Sequence, residues 1–308
     1  MLRAFFVNLS ENRSLRNFAE RSSIGRRVSG RFVAGTEIAD AVRATQTVNR
    51  SGMSVSIDNL GENVTNPDEA RHSSQLYQQI LDAIEANHLN ANISLKLTHM
   101  GLDVDEKLAR ETVSGLVGRA AKMNPPGFVR VDMEGSPYTQ RTLDFVHELH
   151  RMPGNENSVG TVIQAYLKRS EADIEKLLSE KIRIRLCKGA YKEPADIAFE
   201  SKADVDANYL KLMKILMKSG VYHGMATHDE NIIREAQAFA TRENIARDSF
   251  EFQMLYGIRR DLQQGLVRDG WRMRVYIPFG SEWYPYFMRR LGERPANVFF
   301  IARNMIRS

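Results

Sequence analysis

The sequence predicts a (β/α)8 barrel, and three observations predict it. Eight short apolar or alternating runs follow one another, polar-faced stretches of helical periodicity separate them, and the repeat averages roughly 30 residues. That is the βα spacing of a parallel sheet with right-handed crossovers, for which closure into a barrel is the simplest reading. The 308 residues are 43% hydrophobic and 26% charged, with 9 Pro and 20 Gly, enough apolar side chains for a large core. Disordered, collagenous and mucin-like chains are excluded by that composition.

Residues 1–50 hold helical stretches and no strand candidate, so they are read as an N-terminal helical arm, with the barrel over 51–308. Strands are predicted at 54–60 (SVSIDNL), 93–99 (ISLKLTH), 128–133 (FVRVDM) and 160–166 (GTVIQAY), then at 182–188 (IRIRLCK), 222–228 (YHGMATH), 249–256 (SFEFQMLY) and 271–278 (WRMRVYIP). Helices are predicted over 68–87, 105–122, 139–151, 170–180, 204–219 and 231–243. Ser170, Asp204 and Asp229 are their expected caps. The last helix, 281–294, replaces a plain amphipathic pattern with aromatics and paired arginines, which suits a role beyond covering the barrel.

The formal net charge is +5, and residues 1–50 carry nine Arg against four acids, so the remainder is neutral overall. Such an arm suits an anionic lipid, nucleic acid or acidic partner, or is simply a solvated basic face. Its amphipathic start resembles a transit peptide, but Glu11 and Glu20 place it in the mature chain. The single cysteine, Cys187, lies in an apolar strand, reads as a small core residue, and fits a reducing, cytoplasmic setting. No apolar run is long enough to span a bilayer.

Barrel enzymes build their sites at the C-terminal ends of the strands. There the sequence puts Lys96 and His99 on strand two, Asp132 and Glu134 on three, Gln164 on four, and Arg185 and Lys188 on five. Thr227, His228 and Asp229 follow on six, Gln253 on seven and Tyr276 on eight. Any one could be an inward polar residue satisfied by a neighbour; their recurrence on seven strands points to a site. Charges near a barrel axis need partners, so Lys96, Asp132 and Arg185 are expected to face each other or a charged ligand.

Arg289 and Arg290 can reach one end of a ligand together only if their helix lies across the barrel mouth. With Lys96 they would make a carboxylate site, although an exposed Arg pair taken alone is equally a solvated helix face. No G-x-G-x-x-G or P-loop is present, and HELH at 147–150 lacks zinc spacing, so no metal is expected.

These residues resemble the monofunctional bacterial proline dehydrogenases, the family that includes the proline dehydrogenase domain of PutA. The likeness runs from SIDNLGE (56–62) to ERPANV (293–298) and is carried most specifically by IRLCKGAYKE (184–193), ATHD (226–229), EFQMLYG (251–257) and YIPFGSEWYPYFMRRLGER (276–294). It implies a distorted (β/α)8 TIM barrel holding FAD noncovalently, with the final helix over the mouth beside the flavin. Arg289, Arg290 and Lys96 would bind the carboxylate of L-proline, with Tyr276, Tyr286 and Leu255 around the ring and Asp132 holding Lys96 and its polar surroundings. FAD would lie on Met133, Gln164, Arg185, Lys188, Gly189, Ala190, Thr227 and His228, with Arg185 near flavin N5. Glu62 would gate the pocket by pairing with Arg289.

The implied reaction is oxidation of L-proline to Δ1-pyrroline-5-carboxylate by hydride transfer from C5 to flavin N5, the first step of proline catabolism to glutamate. Electrons would pass to a membrane quinone through peripheral contact at the inner face of the membrane, and the product to a separate pyrroline-5-carboxylate dehydrogenase. The tail VFFIARNMIRS and the arm are candidate membrane contacts. No nucleic-acid partner is expected. Two other readings fit parts of the sequence: a Schiff-base aldolase using Lys96, and a basic RNA-binding or scaffold barrel using residues 1–50.

Overall fold

The computed structural model describes residues 30–293, with side chains up to residue 288. Helix α1 (Ile38–Arg50) precedes eight strands, β1 (Ser54–Asn59), β2 (Ala91–Leu95), β3 (Val129–Val131), β4 (Val159–Gln164), β5 (Arg183–Cys187), β6 (His223–Ala226), β7 (Phe250–Leu255) and β8 (Met273–Phe279). All neighbours pair in parallel, and β1 pairs with β8 in the register Ser56 to Tyr276, closing the barrel in sequence order. Between them run α2 (Pro67–Ala86), α3 (Glu106–Ala121), α4 (Ser136–Arg151), α5 (Ser170–Ser179), α6 (Lys202–Lys218), α7 (Glu230–Arg242) and α8 (Arg260–Arg268); α9 (Trp283–Glu293) follows β8.

Each predicted strand is present; most are shortened at their ends, while β2 and β4 begin one or two residues earlier and β8 ends one residue later than predicted. The short α8 was not predicted; its nine residues give little periodic signal. Of the expected caps, Asp229 accepts the amide of Asn231 at 3.1 Å. The α6 cap is instead Ser201, whose hydroxyl accepts the Asp204 amide at 3.0 Å. Ser170 is the first residue of α5 rather than its cap, and its hydroxyl donates to the Gln164 carbonyl at 2.6 Å.

Alternation sorts the strands into two faces. On β1, Val55 and Ile57 are buried outward beneath the helices; on β5, Ile184 and Leu186 are. The other face points inward and is unusually polar for a barrel, which normally stacks branched apolar residues there. Arg185 bonds Ser56 and Ser94, on strands that do not neighbour β5, so these bonds cross the barrel interior.

Residues 31–35 form a strap over one side of the mouth. Arg31 Nε donates to the Gly257 carbonyl at 3.3 Å, the Ala34 amide to Pro278 at 2.9 Å, and the Gly280 amide returns to Gly35 at 3.0 Å. Phe32 is 1% exposed and its ring lies 6.1 Å from that of Phe287, inside a cluster with Leu60, Ile258, Trp283 and Tyr286. Gly257 has φ +75°, and a Cβ there would lie 1.7 Å from the Arg31 carbonyl oxygen, so only glycine admits the strap.

Candidate active site

At the C-terminal ends of the strands a cavity of about 680 Å3 opens, within the range of small-molecule and cofactor sites. It gathers Lys96, Asp132, Met133, Gln164, Arg185, Lys188, Gly189, Ala190, Thr227, His228, Leu255 and Tyr276, all singled out in the sequence. Cys187, Tyr191, Lys202 and Asp229 also line it.

Arg185 is the hub. Its Nη1 donates to Asp132 Oδ1 at 2.7 Å, Nε to Gln253 Oε1 at 2.5 Å, and Nη2 to the hydroxyls of Ser56 and Ser94, both at 3.0 Å. The Tyr276 hydroxyl donates to the other Asp132 oxygen at 3.0 Å, and its ring centre lies 5.2 Å from the guanidinium. Burial first, then the charge of Asp132, raises the Tyr276 phenol well above its ordinary value, so it stays a donor.

Lys96 was expected to lean on Asp132. Its ion-pair partner is instead Asp58, with Nζ 3.7 Å from Oδ2, because Arg185 and Tyr276 already occupy both oxygens of Asp132. Burial alone would lower the Lys96 ammonium, but Asp58, Glu62 and Asp132 outweigh it and raise it above its ordinary value. A Schiff-base lysine requires the opposite shift, which removes support from the aldolase reading. Asp58 is 1% exposed, and its Oδ1 accepts the Tyr77 hydroxyl at 3.2 Å.

At the opposite side, Lys188 pairs with Asp206 at 2.5 Å and Asp229 at 3.0 Å. His228 Nε2 accepts the Leu255 amide at 3.0 Å, and Thr227 Oγ1 accepts the Asp229 amide at 3.1 Å. Gly189 has φ +109°, and a Cβ there would lie 2.2 Å from the Tyr166 ring. Gln164 donates to the Met133 carbonyl at 3.5 Å, while its buried Oε1 has no partner. An orphan acceptor on the cavity wall and a lysine at the rim together fit a polar, anionic cofactor, while the bare backbone at Gly189 is required by the Tyr166 ring packed against it.

Tyr286 joins the aromatic cluster that also touches Leu255 and Met288. Glu62, half-buried in the loop after β1, acts on Lys96 through its charge. The side chains of Arg289 and Arg290, the arm before residue 30 and the tail beyond Glu293 lie outside the described residues. Cys187 is partly buried against the core, and burial pushes its thiol up to about 12, as a core residue rather than a nucleophile.

The sequence reading missed Asp58, Ser56, Ser94 and Tyr77. Ser54, Ser56 and Asp58 are the polar half of the alternation in SVSIDNL, a signal present but overlooked in favour of strand ends. Tyr77 lies on α2 and carries no sequence mark of its inward reach.

Among the described residues no helix is long and apolar enough to cross a membrane. A proline dehydrogenase family model matches residues 41–303. Proline dehydrogenase 1 of Bacillus subtilis (strain 168) is 40% identical over 308 residues, covering 100% of both chains. The proline dehydrogenase of Deinococcus radiodurans is 40% identical over 280 residues, 90% of this chain and 89% of that one. Among solved structures, proline utilization A (PutA) from Bdellovibrio bacteriovorus, inactivated by N-propargylglycine, superposes with a TM-score of 0.80 at 25% identity. The match covers 87% of this chain and 32% of that longer one.

Proposed function

The chain belongs to the proline dehydrogenase family and is a proline dehydrogenase, and from that premise we propose that it oxidises L-proline to Δ1-pyrroline-5-carboxylate with noncovalently held FAD. The observation that carries the reading is the Arg185 hub on the wall of a cavity that also holds Lys96. The proposed unit is the barrel over 51–308, with 1–50 as an arm.

The Lys96 ammonium, kept charged by Asp58, Glu62 and Asp132, takes the substrate carboxylate together with Arg289 and Arg290 on α9. Tyr276 and Leu255 flank the ring, Tyr286 closes the pocket from α9, and Glu62 gates it. Asp132 holds both the Tyr276 hydroxyl and Arg185, so substrate side and cofactor side share one carboxylate. Arg185 places a fixed positive charge where electron density accumulates. Met133, Gln164, Gly189, Ala190, Thr227 and His228 would hold FAD, with Lys188 as the charge for its pyrophosphate. FAD, when bound, supplies the hydride acceptor for C5 of proline at its N5. The protein's contribution is positioning, bringing C5 to about 3–3.5 Å. Electrons then leave to a membrane quinone through peripheral contact, and the product goes to a separate pyrroline-5-carboxylate dehydrogenase on the way to glutamate.

The test is the visible spectrum of the purified protein before and after anaerobic L-proline. Flavin absorbance that bleaches supports cofactor and substrate together. A flavin spectrum unmoved by proline overturns the substrate, and a colourless protein that FAD does not reconstitute overturns the cofactor.

A further inference from the structure

We propose that Glu251, on the barrel floor and outside the cavity wall, is a positioning residue that fixes the Gln253 amide and through it the Arg185 guanidinium. The inference rests on the cofactor-side role given to Arg185 above. Gln253 Oε1 accepts Arg185 Nε at 2.5 Å, and its Nε2 donates to Glu251 Oε1 at 2.7 Å. A carboxamide can sit in this space in two orientations related by a half-turn. Arg185 Nε only donates and the Glu251 carboxylate only accepts, so one orientation makes two bonds and the other opposes hydrogen to hydrogen and oxygen to oxygen.

Glu251 is itself pinned. Arg274 Nε donates to Oε1 at 2.6 Å, the Tyr222 hydroxyl donates to Oε2 at 2.9 Å, and Arg274 Nη1 anchors to the Val55 carbonyl at 2.7 Å. Burial alone would raise this carboxyl; Arg274, Tyr222 and Gln253 hold it below its ordinary value, so the acceptor stays ionised. The Ser56 and Ser94 hydroxyls take one guanidinium nitrogen, Nη2, and Ser56 is itself held by donating to Asn92 Oδ1. Gln253 takes Nε and Asp132 takes Nη1, and Gln253 carries its bond on to Glu251 on the floor.

A second feature of the fold serves the same group. Gly224, opposite on β6, leaves the space the amide occupies, since a Cβ there would lie 2.2 Å from Gln253 Nε2. Gly224→Ala therefore displaces the Gln253 amide and alters no charge, and a circular dichroism spectrum and Tm of the loaded variant show that it folds.

The experiment compares wild type, Gly224→Ala and Glu251→Gln, all as the FAD-loaded full chain. Anaerobic stopped-flow gives the limiting rate of flavin bleaching by L-proline and the apparent proline affinity, and equilibrium titration gives the flavin reduction potential. Gly224→Ala and Glu251→Gln should each slow bleaching about 10–100-fold, the size of effect usual for an outer-shell partner. They should also move the potential, with proline affinity held within about threefold. Gly224→Ala with wild-type rate and potential overturns the relay. A wild type that proline does not bleach removes the functional reading and the relay with it, whereas wild type and variants bleaching equally removes the relay alone.

Discussion

Arg185→Lys keeps the charge at the hub and removes its fork, so it measures what the fork contributes. The arginine spreads its donors over four partners, on three strands and just past the end of β3, at 2.5, 2.7, 3.0 and 3.0 Å. A lysine ammonium is a single point with three donors and satisfies two of these at most from one position, with Asp132 retained as the nearest counter-charge. Two charge-assisted bonds are lost at about 1.5–3 kcal/mol each, and Arg185 and its neighbours are buried enough that water replaces them poorly. The expected loss is about 3–6 kcal/mol of stability, a fall in Tm of roughly 5–9 °C for a domain of this size. Thermal unfolding of the FAD-free protein by circular dichroism reads this without the cofactor. A drop of less than about 2 °C would refute the claim that the fork organises the barrel interior, leaving its charge alone as the relevant property.

Stability should fall with acid in a way traceable to His223. This ring is fully buried, its Nδ1 accepts the Ile184 amide at 3.0 Å, and burial, then Arg130 and Arg183, push it down to about 3. A depressed folded value means stability present above the unfolded value near 6.5 and lost as pH falls towards 3, by up to about 1.4 kcal/mol per pH unit. His223→Asn keeps an acceptor for Ile184 and should flatten urea-unfolding stability between pH 4 and 6 relative to wild type; parallel curves would contradict this. Cys187, with its thiol near 12, should react with iodoacetamide at pH 8 at least about a thousandfold more slowly in the folded protein than in denaturant, as mass spectrometry would show. Equal labelling would mean that β5 opens locally. Arg289→Lys and Arg290→Lys should raise KM for proline and lower kcat/KM because a point charge replaces a bidentate fork. Unchanged steady-state kinetics in both would remove the carboxylate assignment.

The barrel was legible because its strands alternate: RIRLC and FEFQML each declare an apolar face for the helices and a polar face for the interior. The cavity wall was legible for the related reason that polar residues at strand ends have few structural uses in a barrel. Asp58 and Glu251 were not, since both sit within strands and a single acid there reads as noise until the residue across the barrel is known. The partner of Lys96 was misassigned because spacing along the chain does not say that Asp132 is already held by Arg185 and Tyr276.

The strap over the mouth bears on the order in which the molecule is completed. Arg31 and Gly257 lie 226 positions apart, and Phe32 meets α9 only after all eight strands separating them have closed. Contacts of such long sequence separation carry the largest loop-closure cost and form late. The Arg185 hub uses only residues of β1, β2, β5 and β7 and the end of β3, so it can assemble while strap and α9 are still undocked. The aromatic contact between Phe32 and Phe287 therefore ties the first described segment of the chain to its last helix across a barrel whose own closure spans a comparable separation.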